Sequence, residues 1–136
     1  MIVVPFITAH LEGFEVIKEQ YQEYINEDFA HVLASTIAYS AVVDDKVIAV
    51  GGLLRLGFER YQAWALMSND TAKHMVAITR EVKRFLGMFD ARIEIAVKDN
   101  FKAGHKWADM LGFKCETPNG MPRYEQGETY YLYARY

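Results

Sequence analysis

Ala91-Arg92-Ile93-Glu94-Ile95-Ala96-Val97-Lys98-Asp99-Asn100-Phe101-Lys102-Ala103-Gly104-His105-Lys106-Trp107-Ala108-Asp109-Met110-Leu111-Gly112-Phe113 is the stretch that decides the fold. Ile93, Ile95 and Val97 alternate with Arg92, Glu94 and Ala96, the period-two pattern of a strand over residues 91–97. Residues 101–111 then read as a short helix, with Asp99 or Asn100 as its N-cap and Gly112 as its stop. Just upstream, Met75, Ile78, Val82, Phe85, Leu86 and Phe89 recur at helical spacing. Ser68, Asn69, Asp70 and Thr71 offer that helix a choice of N-caps, and Gly87 offers an end. A strand on either side of this helix predicts a parallel pair.

Working outward, residues 37–43 and 46–54 are apolar and rich in β-branched side chains. Asp44-Asp45-Lys46 between them signals a hairpin turn. Gly51-Gly52 marks a bulge or a close backbone approach. Residues 61–67, with Trp64 at the centre, form a third strand, and residues 2–6 a short first one. Over residues 13–33, Phe14, Ile17, Tyr21, Tyr24 or Ile25, Phe29 and Val32 fall at helical spacing, with Glu12, Glu15, Glu19, Glu23 and Glu27 between them. That predicts an amphipathic helix, or two short ones, with a solvated acidic face. Residues 113–116 begin another strand, 118–127 read as a loop, and 129–136 form the last strand, antiparallel to 113–116. The predicted order is β-α-β-β-β-α-β-α-β-β. It describes an α/β fold with a mixed α+β sheet, helices packed on both faces, and a single domain over 1–136.

Composition bounds the function. The chain has 136 residues, 51% hydrophobic, which is enough to build a core without metals or disulfides. A net charge of −3 argues against nucleic acid as a partner, because such binders need a basic face. The basic stripe Lys73, Arg80, Lys83 and Arg84 reads as a solvated helix face. No apolar run is long enough to span a bilayer, and the first six residues lack the marks of a signal peptide. A soluble cytoplasmic protein is the expectation. The one cysteine, Cys115, forbids an intrachain disulfide and is expected to be in the core or half-buried. His10, His31, His74 and His105 are too scattered to suggest a metal site. Five of the nine tyrosines lie in the last 13 residues, and strand packing accounts for them.

The order of elements resembles the acyl-CoA N-acyltransferase fold of the GNAT superfamily. Ile93-Glu94-Ile95-Ala96-Val97, Asp99-Asn100, Ala103 and Met110-Leu111-Gly112-Phe113 are similar to that family's strand, asparagine, alanine and closing Leu-Gly-Phe. Further stretches resemble small phage-encoded members, of the kind found as internal virion proteins of podoviruses. These are Pro5-Phe6, His10-Leu11, Ala63-Trp64-Ala65-Leu66, Thr79-Arg80, Phe85-Leu86, Lys106-Trp107-Ala108 and Tyr131-Leu132-Tyr133-Ala134-Arg135.

The resemblance implies acetyl-CoA or coenzyme A as cofactor and a small-molecule or protein amine as acceptor. It gives Ala65, Leu66 and Met67 the role of presenting backbone N–H groups to the thioester, with Lys73, His74 and Asn100 as further cofactor contacts. Candidates for the general base are Glu59, Glu94 and His105. The chain also departs from the family. Its stretch 68–74 holds no glycine and has Asp70 where an anion should sit. The position of the usual general-acid tyrosine is Ala108. The alternative reading is therefore a catalytically inactive GNAT-fold phage protein, placed in the virion or bound to other phage or host proteins.

Overall fold

A computed structural model describes all residues, 1–136. In chain order the elements are β1 (Ile2–Pro5), α1 (Glu27–Ala34), β2 (Ile37–Val43), β3 (Lys46–Gly57), β4 (Arg60–Met67), α2 (Met75–Leu86), β5 (Arg92–Lys98), α3 (Lys102–Met110), β6 (Lys114–Cys115), β7 (Met121–Glu125) and β8 (Glu128–Arg135). The eight strands form one mixed sheet in the order β1-β2-β3-β4-β5-β8-β6, with β7 on β8. β4 and β5, joined through α2, are the expected parallel pair, in register at Arg60↔Arg92, Tyr61↔Ile93 and Gln62↔Glu94. The mixed α/β fold is the one read from the sequence, with one strand more. No helix is long and apolar enough to cross a membrane.

The chain divides into two compact units, Met1–Leu54 with Ala63–Glu81, and Arg55–Gln62 with Val82–Tyr136. In the first unit, Phe6, Leu11, Phe14, Val16, Ala30, Leu33 and Val50 form a buried cluster, with Trp64 and Leu66 packed against it. Gly52 is a close approach: a Cβ there would collide with the Ile37 carbonyl on β2. The β2–β3 pairing also carries a register shift at Ala41/Val42.

The predicted helix over 13–33 is reduced to α1, preceded by short 3-10 turns at Thr8–Leu11 and Gln22–Tyr24. Glu15, Glu19, Glu23 and Glu27 stand four residues apart, so a continuous helix would stack like charges on one face. The chain instead turns at Gly13, where φ is +68°. Phe14 and Val16 are then buried two residues apart with Glu15 exposed, as on an extended segment. α1 begins at Asn26, whose side chain accepts the Phe29 N–H at 2.9 Å.

In the second unit, β5 pairs antiparallel with β8 from Ile93↔Arg135 to Lys98↔Tyr130. β6 pairs with β8 at Lys114↔Ala134 and Cys115↔Tyr133, as predicted for the tyrosine-rich tail. The stretch expected as a loop holds β7, which pairs with β8 at Met121↔Tyr130 and Glu125↔Glu128. Gln126 and Gly127, both at positive φ, make the tight hairpin between them. α3 has Phe101 at its N-cap and no side-chain cap, so neither Asp99 nor Asn100 serves as predicted. Gly104 lets α3 lie close to β5: a Cβ would fall 2.6 Å from the Phe101 ring and 3.0 Å from Val97 Cγ1. Gly112, at φ +87°, ends the helix as expected. Cys115 is exposed rather than half-buried, because β6 is two residues long and lies at the end of the sheet.

Candidate functional site

The first unit contains an occupied strand edge. Ser68 N–H donates to the Ile48 carbonyl on β3 at 3.0 Å. Backbone groups alternate between edges along a strand, so the N–H and C=O of Met67 and Ala65 face away from β3. β4 pairs with β5 only as far as Gln62. Further along, its edge groups bind the segment after Phe14. Gln20 Nε2 donates to the Ala65 carbonyl at 2.7 Å, and Met67 N–H donates to Gln20 Oε1 at 2.9 Å. Ile17 N–H donates to the Met67 carbonyl at 2.8 Å. Leu66, by the same alternation, turns its backbone toward β3, and its side chain packs on the core cluster.

The stretch after β4 is a 3-10 turn, Asn69–His74, leading into α2. Ser68 Oγ accepts the Asp70 N–H at 3.3 Å, so Ser68 is the cap chosen among the four candidates. Lys46 Nζ lies 2.8 Å from Asp70 Oδ2. The Lys46 hydrogen bond is the main reason the Asp70 carboxyl lies below its usual range, with Lys73 and His74 adding smaller electrostatic pulls in the same direction. Lys73 and His74 lie in the same 3-10 turn as Asp70.

The second unit holds a cleft of about 240 Å³, whose lining includes Arg60, Gln62, Glu94, Ala96, Tyr124 and Leu132. The parallel register sets Arg60 beside Arg92 and Gln62 beside Glu94. Glu94, buried to 9% side-chain exposure, pairs with both arginines. Arg60 donates from Nε and Nη2, each at 2.9 Å, and Arg92 donates from Nε at 2.6 Å. Arg92 also grips Glu116 with its two terminal nitrogens. Arg60 is the largest cause that draws the Glu94 carboxyl down to about 2, against the opposing cost of burial and with Arg92 assisting. At neutral pH such a carboxylate is a weak proton acceptor.

His105 lies on α3 with both ring nitrogens engaged. Nε2 is 2.9 Å from the Lys98 carbonyl and 3.1 Å from that of Asp99, and Nδ1 is 2.7 Å from the Tyr133 hydroxyl. Carbonyls only accept, so Nε2 carries a proton, and Nδ1 meets the Tyr133 hydroxyl. Burial raises the Tyr133 hydroxyl above its ordinary value, so it remains a donor. Glu59 is exposed at the β3–β4 turn at φ +55°, and its carbonyl accepts the Arg92 N–H at 2.9 Å. Asn100 is exposed in the turn before α3. Ala108 is fully buried at 0%.

Several of these residues were not singled out by sequence reasoning. Gln20 falls among polar residues of a supposed solvated helix face. Arg60 and Gln62 precede or begin a strand noted for its apolar centre. Tyr124, in the stretch expected as a loop, lines the cleft from β7.

No family model matches the sequence, and no curated protein matches it either. Solved structures do match over nearly its whole length. Ard1 from Thermoplasma volcanium superposes with a TM-score of 0.82 at 11% identity, over 98% of this chain and 95% of that one. An acetyltransferase of the GNAT family from Bacillus anthracis gives 0.71 at 10% identity, over 98% and 92%. An aminoglycoside 6'-N-acetyltransferase solved with coenzyme A gives 0.72 at 12% identity, over 99% and 96%. The chain has the fold of the GNAT acyl-CoA N-acyltransferases.

Proposed function

We propose that this chain is an acetyl-CoA-dependent N-acetyltransferase of the GNAT type, acting on a small-molecule or protein amine. The observation that carries the reading is the β4 edge. Beyond Gln62, the edge of β4 away from β3 parts from β5, and a planar carboxamide, that of Gln20, lies against it at Ala65 and Met67. The arm of coenzyme A carries amides of the same chemistry, so this edge fits it. Bound there, acetyl-CoA would supply an acetyl carbonyl activated as a thioester.

The chain's own groups supply the rest. N–H donors of Ala65 and Met67 face the edge, where fixed donors stabilise a developing oxyanion. Lys73 puts positive charge at the start of α2, with His74 beside it, where the glycines of the family's phosphate loop are missing. Asn100 is an exposed polar contact. Of the three base candidates, Glu94 is held by two arginines and His105 has both ring nitrogens engaged, by the Tyr133 hydroxyl and the Lys98 carbonyl. Exposed Glu59 stands before the start of β4, roughly 20 Å along the strand from Ala65, which is beyond the reach of one bridging water. Calorimetric titration with acetyl-CoA tests the reading. Saturable heat supports it, and no heat at millimolar ligand overturns it.

A second reading is favoured by two observations. Ala108 is fully buried where the family carries its general-acid tyrosine, and Asp70 with Lys46 fills the start of the turn before α2. In this reading the chain is a catalytically inactive phage protein of the same fold, acting in the virion or on other phage or host proteins. Mass spectrometry of purified virions that finds the chain, together with no cofactor binding, supports it. Absence from virions with normal assembly after deletion overturns the virion role.

A further inference from the structure

We propose that Gln20 is a built-in competitor for the amide-binding edge of β4, a side-chain plug that must swing away before an extended amide ligand can pair with Ala65 and Met67. The inference rests on the acetyl-CoA reading above and adds a regulatory element to it.

Gln20 makes the pair of hydrogen bonds that a backbone amide would make on a strand edge. Its NH₂ donates to the Ala65 carbonyl at 2.7 Å, and its carbonyl accepts the Met67 N–H at 2.9 Å. These partners are 45 and 47 residues away in sequence. The segment that carries Gln20 does not depend on it for its position. Phe14 and Val16 are buried in the core cluster. Gln22 ties the same segment to itself, accepting the Val16 N–H at 2.8 Å and donating to the Phe14 carbonyl at 2.9 Å. Ile17 is separately bonded to the Met67 carbonyl at 2.8 Å. Freeing the edge at Ala65 and the Met67 N–H therefore requires only rotation of the half-buried Gln20 side chain, with the backbone left in place.

A ligand that displaces Gln20 exchanges two neutral hydrogen bonds for two of its own. It binds only the fraction of molecules in which the plug is out, and its apparent affinity falls by that fraction. Two neutral bonds correspond to about a tenfold loss or more.

The test is a calorimetric titration of coenzyme A into the full chain, wild type and Gln20→Ala. Amide hydrogen exchange at Met67 is followed in each protein without ligand. The competitor predicts faster exchange at Met67 in Q20A and about tenfold or more tighter binding. A second variant, Gln20→Met, keeps the side-chain length and loses both hydrogen bonds. It should also bind more tightly, and it decides the matter if Q20A does not fold. Equal or weaker binding by the folded variants overturns the plug and leaves the acetyl-CoA reading standing. No binding by wild type or either variant removes the acetyl-CoA reading, and the plug with it.

Discussion

Glu94→Gln should destabilise the chain by about 3 kcal/mol at pH 7, and the loss should shrink in acid. The carboxylate sits at 9% side-chain exposure and accepts from Arg60 at both oxygens and from Arg92 at one. Its folded form titrates at about 2, against an ordinary value of 4.5. A depressed carboxyl stabilises the fold in full above the unfolded value, and that contribution drains away as pH falls toward the folded value. The difference is worth about 3 kcal/mol at neutral pH and roughly half of that at pH 3. Glutamine keeps the shape but cannot hold the charge of two guanidinium groups. Arg92 would keep Glu116, an exposed partner of small worth, so the second pair does not rescue the first. Urea unfolding of both proteins at pH 7 and pH 3 measures the effect, with a midpoint shift on the order of 1 M or more at pH 7. A difference under about 1 kcal/mol at pH 7, or one that stays constant to pH 3, would refute the clamp as the cause of the low carboxyl value.

Three further outcomes are expected. Gly104→Ala should cost about 1–3 kcal/mol in chemical denaturation, because the new methyl group meets the Phe101 ring at 2.6 Å and Val97 at 3.0 Å; an unchanged midpoint would mean α3 has room to shift. Tyr133→Phe should cost about 1 kcal/mol and change the nitrogen chemical shift of His105 Nδ1; an unchanged shift would mean that Nδ1 does not accept from this hydroxyl. Asp70→Asn should tighten coenzyme A binding by roughly threefold or more at low salt, with the gain fading at high salt, since it removes a negative charge beside Lys73 and His74; weaker binding would place the phosphates elsewhere.

What could be read in advance was local. The alternation over 91–97 and the glycine stop at Gly112 depend on near neighbours, and β5 and α3 appear where they predict. Over 13–33 the apolar spacing and the charge spacing point in different directions. The four-residue spacing of Glu15, Glu19, Glu23 and Glu27 opposes a continuous helix, and Gly13 offers a turn in its place. β7 was hidden by Pro122, which weakens any strand signal, although Gln126-Gly127 carried a hairpin cue. The site was less legible for a different reason. Residue type nominated Glu94 and His105, but their chemistry is set by partners 34 and 28 residues away, Arg60 and Tyr133. No window along the sequence contains both members of either pair.

The positions where the fold would meet a ligand are already satisfied from within the chain, and the satisfactions differ in strength. The Glu94 clamp is buried, doubly charged on one side and worth about 3 kcal/mol, so a ligand that needed this carboxylate would have to undo much of the unit's stability. Glu94 therefore belongs to the scaffold of the cleft. The Lys46–Asp70 pair is different: both side chains are more than half exposed, at 69% and 51%, and salt screens such pairs. The Gln20 plug is neutral and rests on two hydrogen bonds that water or another amide can replace. The β4 edge and the turn before α2 can therefore be reopened at small cost, while the clamp cannot. Those two places hold the acyl-CoA contacts proposed above, so a first search for ligand should alter Gln20 and Asp70 and leave Glu94 intact.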